Sequence, residues 1–577
     1  MVGRQPDRPA VSDDVRTLTY GELDKRSDAV ASHLRQRGVE LEDRVGVYLE
    51  RGVDLFVGIL GVVKAGASYV AIDARYPDAR RDLMIQDSRA KTIITEPTWA
   101  GRLAGLPTEL VTLGDLARAA PEREATTTRI APSTAACVLF TSGSTRGPKA
   151  IVLEHRNLVS FACNSAIPAL MPEDRVGQIS SISFDAFHFE IWTALAHGAQ
   201  VVILPPVREL LAADFRRQMK RYGITAMLVP TMVVNHVVRE DRDAFAELRI
   251  LQVGGDVILP STCREVLNGE FRGGLYNLYG PAEATTACTV HPVSLADTLE
   301  GSVPIGRPLV GVTVHVLSPE LVPVPVGEVG EMFLAGPGVA RGYQDQPELT
   351  AERFLTLTLP GAGAPTRVYR TGDLARCRPD GVLEFVGRVD SQVKIRGYRV
   401  EPGEVERALR RHPGVHDAVV LPDGDSQDRR LVAFVVLDGE LTMAQLRRDI
   451  ESQLPDFMVP SQIVTVRKIP ASHHGKRDLG ALRELLAVER ERRNRHAPAR
   501  TDTERYLVAL WEDLLGVEDI SRTDDFFQMG GHSMLAFRMQ RRIQQDLRTK
   551  VPFPVLLSNI RLASLASVVD GLRENRP

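Results

Sequence analysis

The sequence is poor in cysteine. Five occur, Cys137, Cys163, Cys263, Cys288 and Cys377, each isolated, with no CxxC pair and no zinc-type spacing. That excludes a disulfide framework, gives no sign of a structural metal site and fits a reducing cytoplasm. An excess of charge of one sign is equally missing, since 71 Lys plus Arg face 74 Asp plus Glu for a net charge of −3. Such a balance supplies no field to gather nucleic acid or an anionic membrane surface, and neither is expected as a partner. Long hydrophobic runs are absent too: the most apolar stretch, Leu55 to Val63, is bounded by Asp54 and Lys64. A membrane-spanning helix needs about 20 apolar residues, so this stretch reads as buried helix or strand. The opening MVGRQPDRPAVSDD has neither an apolar core nor a small-residue cleavage site, and no signal peptide is expected. No repeat of fixed period suggests a solenoid, and the Walker pattern GxxxxGK[ST] occurs nowhere.

What remains is an ordinary globular balance, with 44% hydrophobic residues over 577 positions. That length accommodates roughly three to five domains, each able to close a core. From Leu18 to about Arg388, helical stretches such as YGELDKRSDAVASHLRQRG alternate with β-rich runs such as RVGVYL, QVVILP and RILQVGG. This is α/β patterning, with turns at strand ends where open α/β sheets bind ligands. After GRVD (387–390) a small α+β unit is expected, from KIRGYRVEPGEVERALRRHPGV through the strands DAVVLP and RLVAFVVLDG to a helix and a last strand. The charged AVERERRNRHAPART (487–501) reads as a solvated linker or frayed helix end. Beyond it, Leu507, Leu510, Trp511 and Leu514 fall at helical spacing, as do Leu535, Met539 and Ile543, and Leu562, Leu565 and Val569. A small helical bundle is expected there. The predicted domains are 1–389, 390–486, a linker 487–501 and 502–577.

The segment LFTSGSTRGPKA (139–150) joins an apolar run to a loop dense in Ser, Thr and Gly with one lysine. Such a loop offers backbone N–H groups and hydroxyls to phosphate oxygens, although Ser and Gly also suit a plain surface turn. The segment resembles the phosphate-binding motif of the adenylate-forming enzymes, the superfamily of acyl-CoA synthetases, luciferases and nonribosomal peptide synthetase adenylation domains. Further motifs follow in that superfamily's order: KAGASYVAIDARYP, NLYGPAEAT, GEVGEMFLAGPGVARGY, YRTGDLARCRPDG and GRVDSQVKIRGYRVEPGEVE. The resemblance runs from about Leu18 to about Leu482. It implies a large α/β body with a small mobile α+β subdomain.

The same resemblance implies attack of a carboxylate on the α-phosphate of ATP, and assigns roles residue by residue. Thr141, Ser142, Gly143, Ser144, Thr145 and Lys149 would hold the phosphates, and Glu283 would hold Mg²⁺. Tyr279 would stack on adenine beside Asn277 and Gly280, and Gly254 and Gly255 would let the nucleotide approach the backbone. Asp373 and Arg388 would hold the ribose. Lys476, in HHGKRD, would touch both the attacking carboxylate and the phosphate. Asp390 would be the hinge about which the small subdomain turns, bringing Lys394, Arg396 and Gly397 in for the second step. Some positions depart from the usual pattern: STRGPKA displaces one glycine to Gly147 and replaces another with Ala150. Ala282 stands where a threonine is usual, and His474 where asparagine is common.

The tail motif DDFFQMGGHSMLAFRMQ resembles the attachment site of peptidyl carrier proteins, with Ser533 as the residue that would carry 4′-phosphopantetheine. An N-cap serine would also suit that position. Thiolate attack on the adenylate would then leave a thioester on the carrier and release AMP. Asp185 in SFDAFHFEIW matches the aspartate that peptide-synthetase domains pair with an α-ammonium. The remaining pocket, by alignment, would be Ala186, Phe189, Met227, Leu251, Val253, Leu278, Thr286 and Ala287, which suits an aliphatic or other apolar side chain. An amino-acid-activating adenylation and carrier didomain is therefore expected, with an acyl- or aryl-acid ligase fused to a carrier as the alternative and an inactive interaction module as a third reading. The implied partners are the amino acid, a phosphopantetheinyl transferase, an MbtH-like helper and a downstream tailoring enzyme or synthetase module.

Overall fold

The computed structural model describes residues 2–113, 129–143, 147–299, 301–358, 364–390, 392–395, 397–424, 429–438, 441–470, 477–493, 497–515, 520–527, 529, 531 and 533–574. It divides into two compact units, Met1–Pro205 with Phe215–Val400, and Pro206–Asp214 with Glu401–Pro577.

The first unit is built on two large, mainly parallel sheets. One has nine strands and includes Arg175–Gln178, Gln200–Ile203, Ala226–Pro230, Ile250–Gly254 and Gly274–Tyr279. These five are short, rich in Val, Ile and Leu, and parallel to their neighbours within that set, as suits strands covered on both faces. The other sheet has seven strands, among them Ala135–Thr141, Lys149–Glu154 and Gly342–Tyr343. Helix Tyr20–Gln36 shows how locally the pattern is written. Thr19 caps it, accepting from the Glu22 N–H at 3.2 Å while the Glu22 carboxylate accepts from the Thr19 N–H at 2.8 Å. Its buried Tyr20, Leu23, Val30, Ala31 and Leu34 form one face and pack on the apolar helix Val53–Ala65. The ambiguous run Leu55 to Val63 is thus helix.

A third sheet was not legible in the α/β pattern. Thr313–Leu317, Val329–Ala335, Phe354–Leu357, Thr366–Cys377 and Leu383–Arg388 form an antiparallel five-stranded sheet. The short helix Pro347–Arg353 intervenes before Phe354–Leu357, yet all the pairings are antiparallel.

The hairpin Val393–Ile395/Tyr398–Val400 clusters with the first unit, which runs to Val400. In the second unit, Val415–Asp423 pairs antiparallel with Arg430–Leu437, which pairs parallel with Gln462–Thr465. Helices Pro402–Arg410 and Met443–Gln453 complete the α+β portion. Helix Leu479–Arg493 continues past Ala487, so the charged stretch starts as a helix end before reaching coil at 497–500. Among the described residues four helices follow, Asp502–Leu515, Ser533–Asp546, Phe553–Ser558 and Leu562–Glu574. All the apolar positions picked out by helical spacing are buried there, around Trp511 and Phe526.

Candidate active site

The phosphate loop is anchored by strand geometry. Thr141 ends one strand directly opposite Lys149, which opens the next, so the intervening loop is held closed at its neck. A Cβ on Gly143 would lie 1.9 Å from the Gly147 carbonyl oxygen, a separation no side chain tolerates. Ser142 is buried and its hydroxyl donates to the Arg399 carbonyl oxygen at 2.8 Å. Lys149, also buried, points its ammonium at the Tyr343 ring, 6.0 Å from the centroid.

Glu283 sits beside this loop on the short 3₁₀ turn Ala282–Ala284 and is 0% exposed. Its Oε1 accepts from the Tyr343 hydroxyl at 2.8 Å, and its Oε2 accepts from Nη1 of Arg399 at 3.1 Å. Burial on its own would raise its pKa. The Arg399 charge, the Tyr343 bond and the Lys149 charge outweigh it and hold the carboxyl below its ordinary range. Tyr343 and Arg399 were not singled out from the sequence, although both lie in quoted motifs, GVARGY and IRGYRV. The missing signal was pairing: Gly342–Tyr343 extends the strand Lys149–Glu154, and Arg399 stands opposite Lys394 across the hairpin.

A second cluster gathers on the antiparallel sheet. Asp373 lies opposite Arg388 in register, and its two oxygens accept from Arg388 and from the Tyr279 hydroxyl. Burial, then the neighbouring Asp373 charge, push the Tyr279 phenol well above its ordinary range. Arg388 also grips the expected hinge, giving Nε to Oδ1 of Asp390 at 2.7 Å and Nη2 to Oδ2 at 2.8 Å. Gln392 then joins the hinge to the hairpin, because its Oε1 accepts from Arg388 at 2.7 Å and from Arg399 at 2.6 Å.

The glycines near the expected adenine position are closely packed. A Cβ on Gly254 would meet the Leu278 carbonyl oxygen at 3.0 Å, and one on Gly280 would lie 2.6 Å from Ala287 Cα. Gly255 has φ +91. Close packing of the chain on itself, and a left-handed turn, favour glycine at these positions. Asn277 likewise commits one amide hydrogen to the Pro304 carbonyl, at 2.8 Å.

The third cluster surrounds Asp185. Thr286 donates to the Asp185 carbonyl oxygen at 2.8 Å and lies 3.3 Å from Nδ1 of His188. Burial pushes the Asp185 carboxyl up to about 7, with Glu283 raising it further and Lys394 on the hairpin lowering it. Burial pushes His188 down to about 3, so that ring is neutral. Met227, Leu251 and Val253 are fully buried; Met227 and Leu251 are in register on neighbouring strands, with Val253 two residues further along. Leu278 pairs with Gly254, so alternation sends its side chain to the opposite face of the sheet from Leu251 and Val253. It joins Phe189 and Ala287 in the main core, with Ala186 packed against it. The expected lining therefore falls into two groups. Lys394 stands 6.0 Å from the Phe385 ring centroid. Ser144, Thr145, Arg396 and Lys476 lie outside the described residues, and Ser533 is the first residue of its helix.

The sequence profile of the AMP-binding enzyme family matches residues 1–344. The chain belongs to that family. As an AMP-binding enzyme it also matches the AMP-binding enzyme C-terminal domain over 404–476 and the phosphopantetheine attachment site over 505–569. It is 35% identical over 581 residues to gramicidin S synthase 2 of Aneurinibacillus migulanus, covering 99% of this chain and 13% of that protein. It is 36% identical over 580 residues to a phosphinothricin tripeptide synthetase of Streptomyces viridochromogenes, covering 99% of this chain and 52% of the relative. The chain thus spans from about an eighth to about half of the length of these relatives. Among solved structures it resembles a holo NRPS protein containing adenylation and PCP domains, bound to a vinylsulfonamide inhibitor. The TM-score is 0.84 at 28% identity, over 99% of this chain and 95% of the other. It also resembles Klebsiella oxytoca NpsA in complex with 3-hydroxyanthranilyl-AMSN, with TM-score 0.63 at 28% identity over 84% and 97%.

An AMP-binding enzyme with a phosphopantetheine attachment segment takes ATP, Mg²⁺ and 4′-phosphopantetheine. The residues present fit the ion: Glu283 is a carboxylate kept ionised at full burial, the hard oxygen donor that Mg²⁺ accepts. Among the described residues no helix is long and apolar enough to cross a membrane.

Proposed function

We propose that this chain activates an α-amino acid as its aminoacyl adenylate and passes the acyl group to a thiol carried on Ser533, as a unit of nonribosomal peptide synthesis. In the first step an amino-acid carboxylate oxygen bonds to the α-phosphorus of ATP, the bond to the β-phosphate breaks, and pyrophosphate leaves. Ser142, Ser144, Thr145, Lys149 and the backbone from Thr141 to Gly143 hold the departing phosphates, and Glu283 holds Mg²⁺, which offsets their charge. The Tyr279 ring covers adenine, Asn277 and the Gly254, Gly255 and Gly280 backbone border it, and Asp373 with Arg388 hold the ribose. Lys476 bridges the attacking carboxylate and the α-phosphate. In the second step that thiol would take the acyl group from the adenylate, displacing AMP. The phosphopantetheine on Ser533, installed by a phosphopantetheinyl transferase, supplies that thiol. Lys394 serves this step after the chain turns about Asp390, with the mobile part taken as 390–486 and the carrier as 502–577.

Asp185 carries the reading. A desolvated carboxyl with a pKa of about 7 gains most from a cation that a substrate brings, and an α-ammonium is that cation. The buried Met227, Leu251 and Val253, together on neighbouring strands, favour an apolar side chain such as leucine, isoleucine or valine. An MbtH-like helper and a downstream synthetase module or tailoring enzyme are the proposed partners.

The test is amino-acid-dependent pyrophosphate exchange across a panel of amino, hydroxy and aryl acids, with mass spectrometry of the phosphopantetheinylated chain. Exchange with one apolar amino acid and the matching mass on Ser533 is the expected result. Exchange driven by acids without an α-amine would replace this reading with an acyl- or aryl-acid ligase.

A further inference from the structure

One buried hydroxyl near Glu283 has no part in the steps assigned above. Tyr369, on the strand Thr366–Cys377, is 0% exposed, and its hydroxyl meets no hydrogen-bond partner of ordinary geometry among the described residues. Most buried polar groups are paired, because an unmet one forfeits its bonds to water and gains nothing in return. The ring is held by its neighbours. Tyr369 stands opposite Phe354 in register with centroids 5.0 Å apart, and Phe354 packs edge-on to Tyr343 at 5.5 Å. That packing sets the phenol beside the Tyr343 hydroxyl and the Arg399 guanidinium, in the field of Glu283. Burial first, and the Glu283 charge after it, push the phenol above its ordinary range, so it remains a protonated donor. Tyr343 and Arg399 meet the two Glu283 oxygens, and Tyr369 bonds to neither.

We propose that the Tyr369 hydroxyl donates to an oxygen of the β- or γ-phosphate of magnesium-bound ATP, as a further residue that binds the departing pyrophosphate. This rests on the reading of Glu283 as metal ligand, which puts those phosphates next to Glu283. A neutral donor suits the place, since it adds a bond to an anionic oxygen without setting another cation against Mg²⁺. The strand adds a second reason. Asp373, four residues further along, reaches the Tyr279 and Arg388 cluster assigned to the ribose. Four residues of strand span at most about 13 Å, so one strand would serve both ends of the nucleotide, the sugar through Asp373 and the outer phosphates through Tyr369.

The test is calorimetric binding of magnesium ATP and of AMP to the full chain, with thermal melting of the chain alone. Tyr369→Phe keeps the ring and removes only the donor. Its Kd for magnesium ATP should rise about ten- to hundredfold, the range for a hydrogen bond to a charged group. AMP has no β- or γ-phosphate, and its Kd should stay within about twofold. The melting temperature of Tyr369→Phe alone should equal or exceed that of the unmodified chain, because the deleted hydroxyl has no bond to lose. A hydroxyl that merely supported the fold would lower the melting temperature and weaken both ligands together; that result, or unchanged binding of magnesium ATP, overturns the proposal. Glu283→Gln separates the two layers. If its affinity for ATP depends on magnesium as the unmodified chain's does, the metal assignment falls and this inference with it; if that dependence is lost while Tyr369→Phe binds magnesium ATP normally, this inference falls alone.

Discussion

The Tyr343 hydroxyl donates to Oε1 of Glu283 at 2.8 Å, and the two residues are 5% and 0% exposed. A carboxylate so buried depends on each donor it has, because no water replaces one that is removed. Tyr343 comes from Gly342–Tyr343, two residues that extend a sheet edge, and thereby couples the body's scaffold to the centre of the site.

Tyr343→Phe deletes that donor while keeping the ring. The loss of a hydrogen bond to a charged group costs about 1.5–3 kcal/mol, roughly ten- to hundredfold in pyrophosphate exchange. The magnesium concentration giving half-maximal exchange should rise as well. A Tyr343→Phe chain with unchanged magnesium dependence would show that the hydroxyl does not position Glu283.

Asp185 gives a pH dependence with a definite sign. Its carboxyl ionises near 3.9 when unfolded and at about 7 in the empty folded site. Between those values the folded chain holds the extra proton, so the group's contribution to stability falls as pH rises through the window. Binding an ammonium needs the ionised form. The kcat/KM for the amino acid should therefore climb with pH up to about 7 and then level. Asp185→Asn should lower it and flatten that limb; an unchanged profile would dissociate the limb from Asp185.

Lys476→Ala removes the cation proposed to bridge nucleophile and phosphate. By analogy with loss of one transition-state donor, adenylate formation should fall about 10²- to 10³-fold. Single-turnover formation of the adenylate at a near-normal rate would take Lys476 out of the mechanism.

Asp390 is gripped by the two-bond fork from Arg388, and that arginine outweighs burial to hold its carboxyl below the usual range. Asp390→Pro restricts φ at the proposed hinge. Pyrophosphate exchange should survive while loading of Ser533, followed by mass spectrometry, slows. Equal loss of both steps would argue against a hinge there.

Much of the architecture was legible because its signals are local. Helical spacing alone located the residues that bury around Trp511, and the capping pair Thr19 and Glu22 marks a helix start in four letters. The motif order led to Glu283, Asp373, Asp185 and Lys149, all of which the structure brings into one unit. The third sheet was not legible: antiparallel strands resemble, in hydropathy, the strands of an α/β repeat, and pairing is not written in any one strand.

The sequence by itself determined the family, the three profile-matched segments and the residue types that phosphate, metal and ammonium chemistry require. Only the tertiary structure decided which partners those residues meet. Arg399 lies 116 residues from Glu283 and reaches it through a hairpin turn at Gly397. It also decided why the glycines are glycine, since Gly280 is answered by Ala287 and Gly254 by Leu278, contacts across strands and turns. Propensity and motif act over a few neighbouring residues, whereas a buried carboxylate's charge state is set by whatever the fold places within a few ångströms of it.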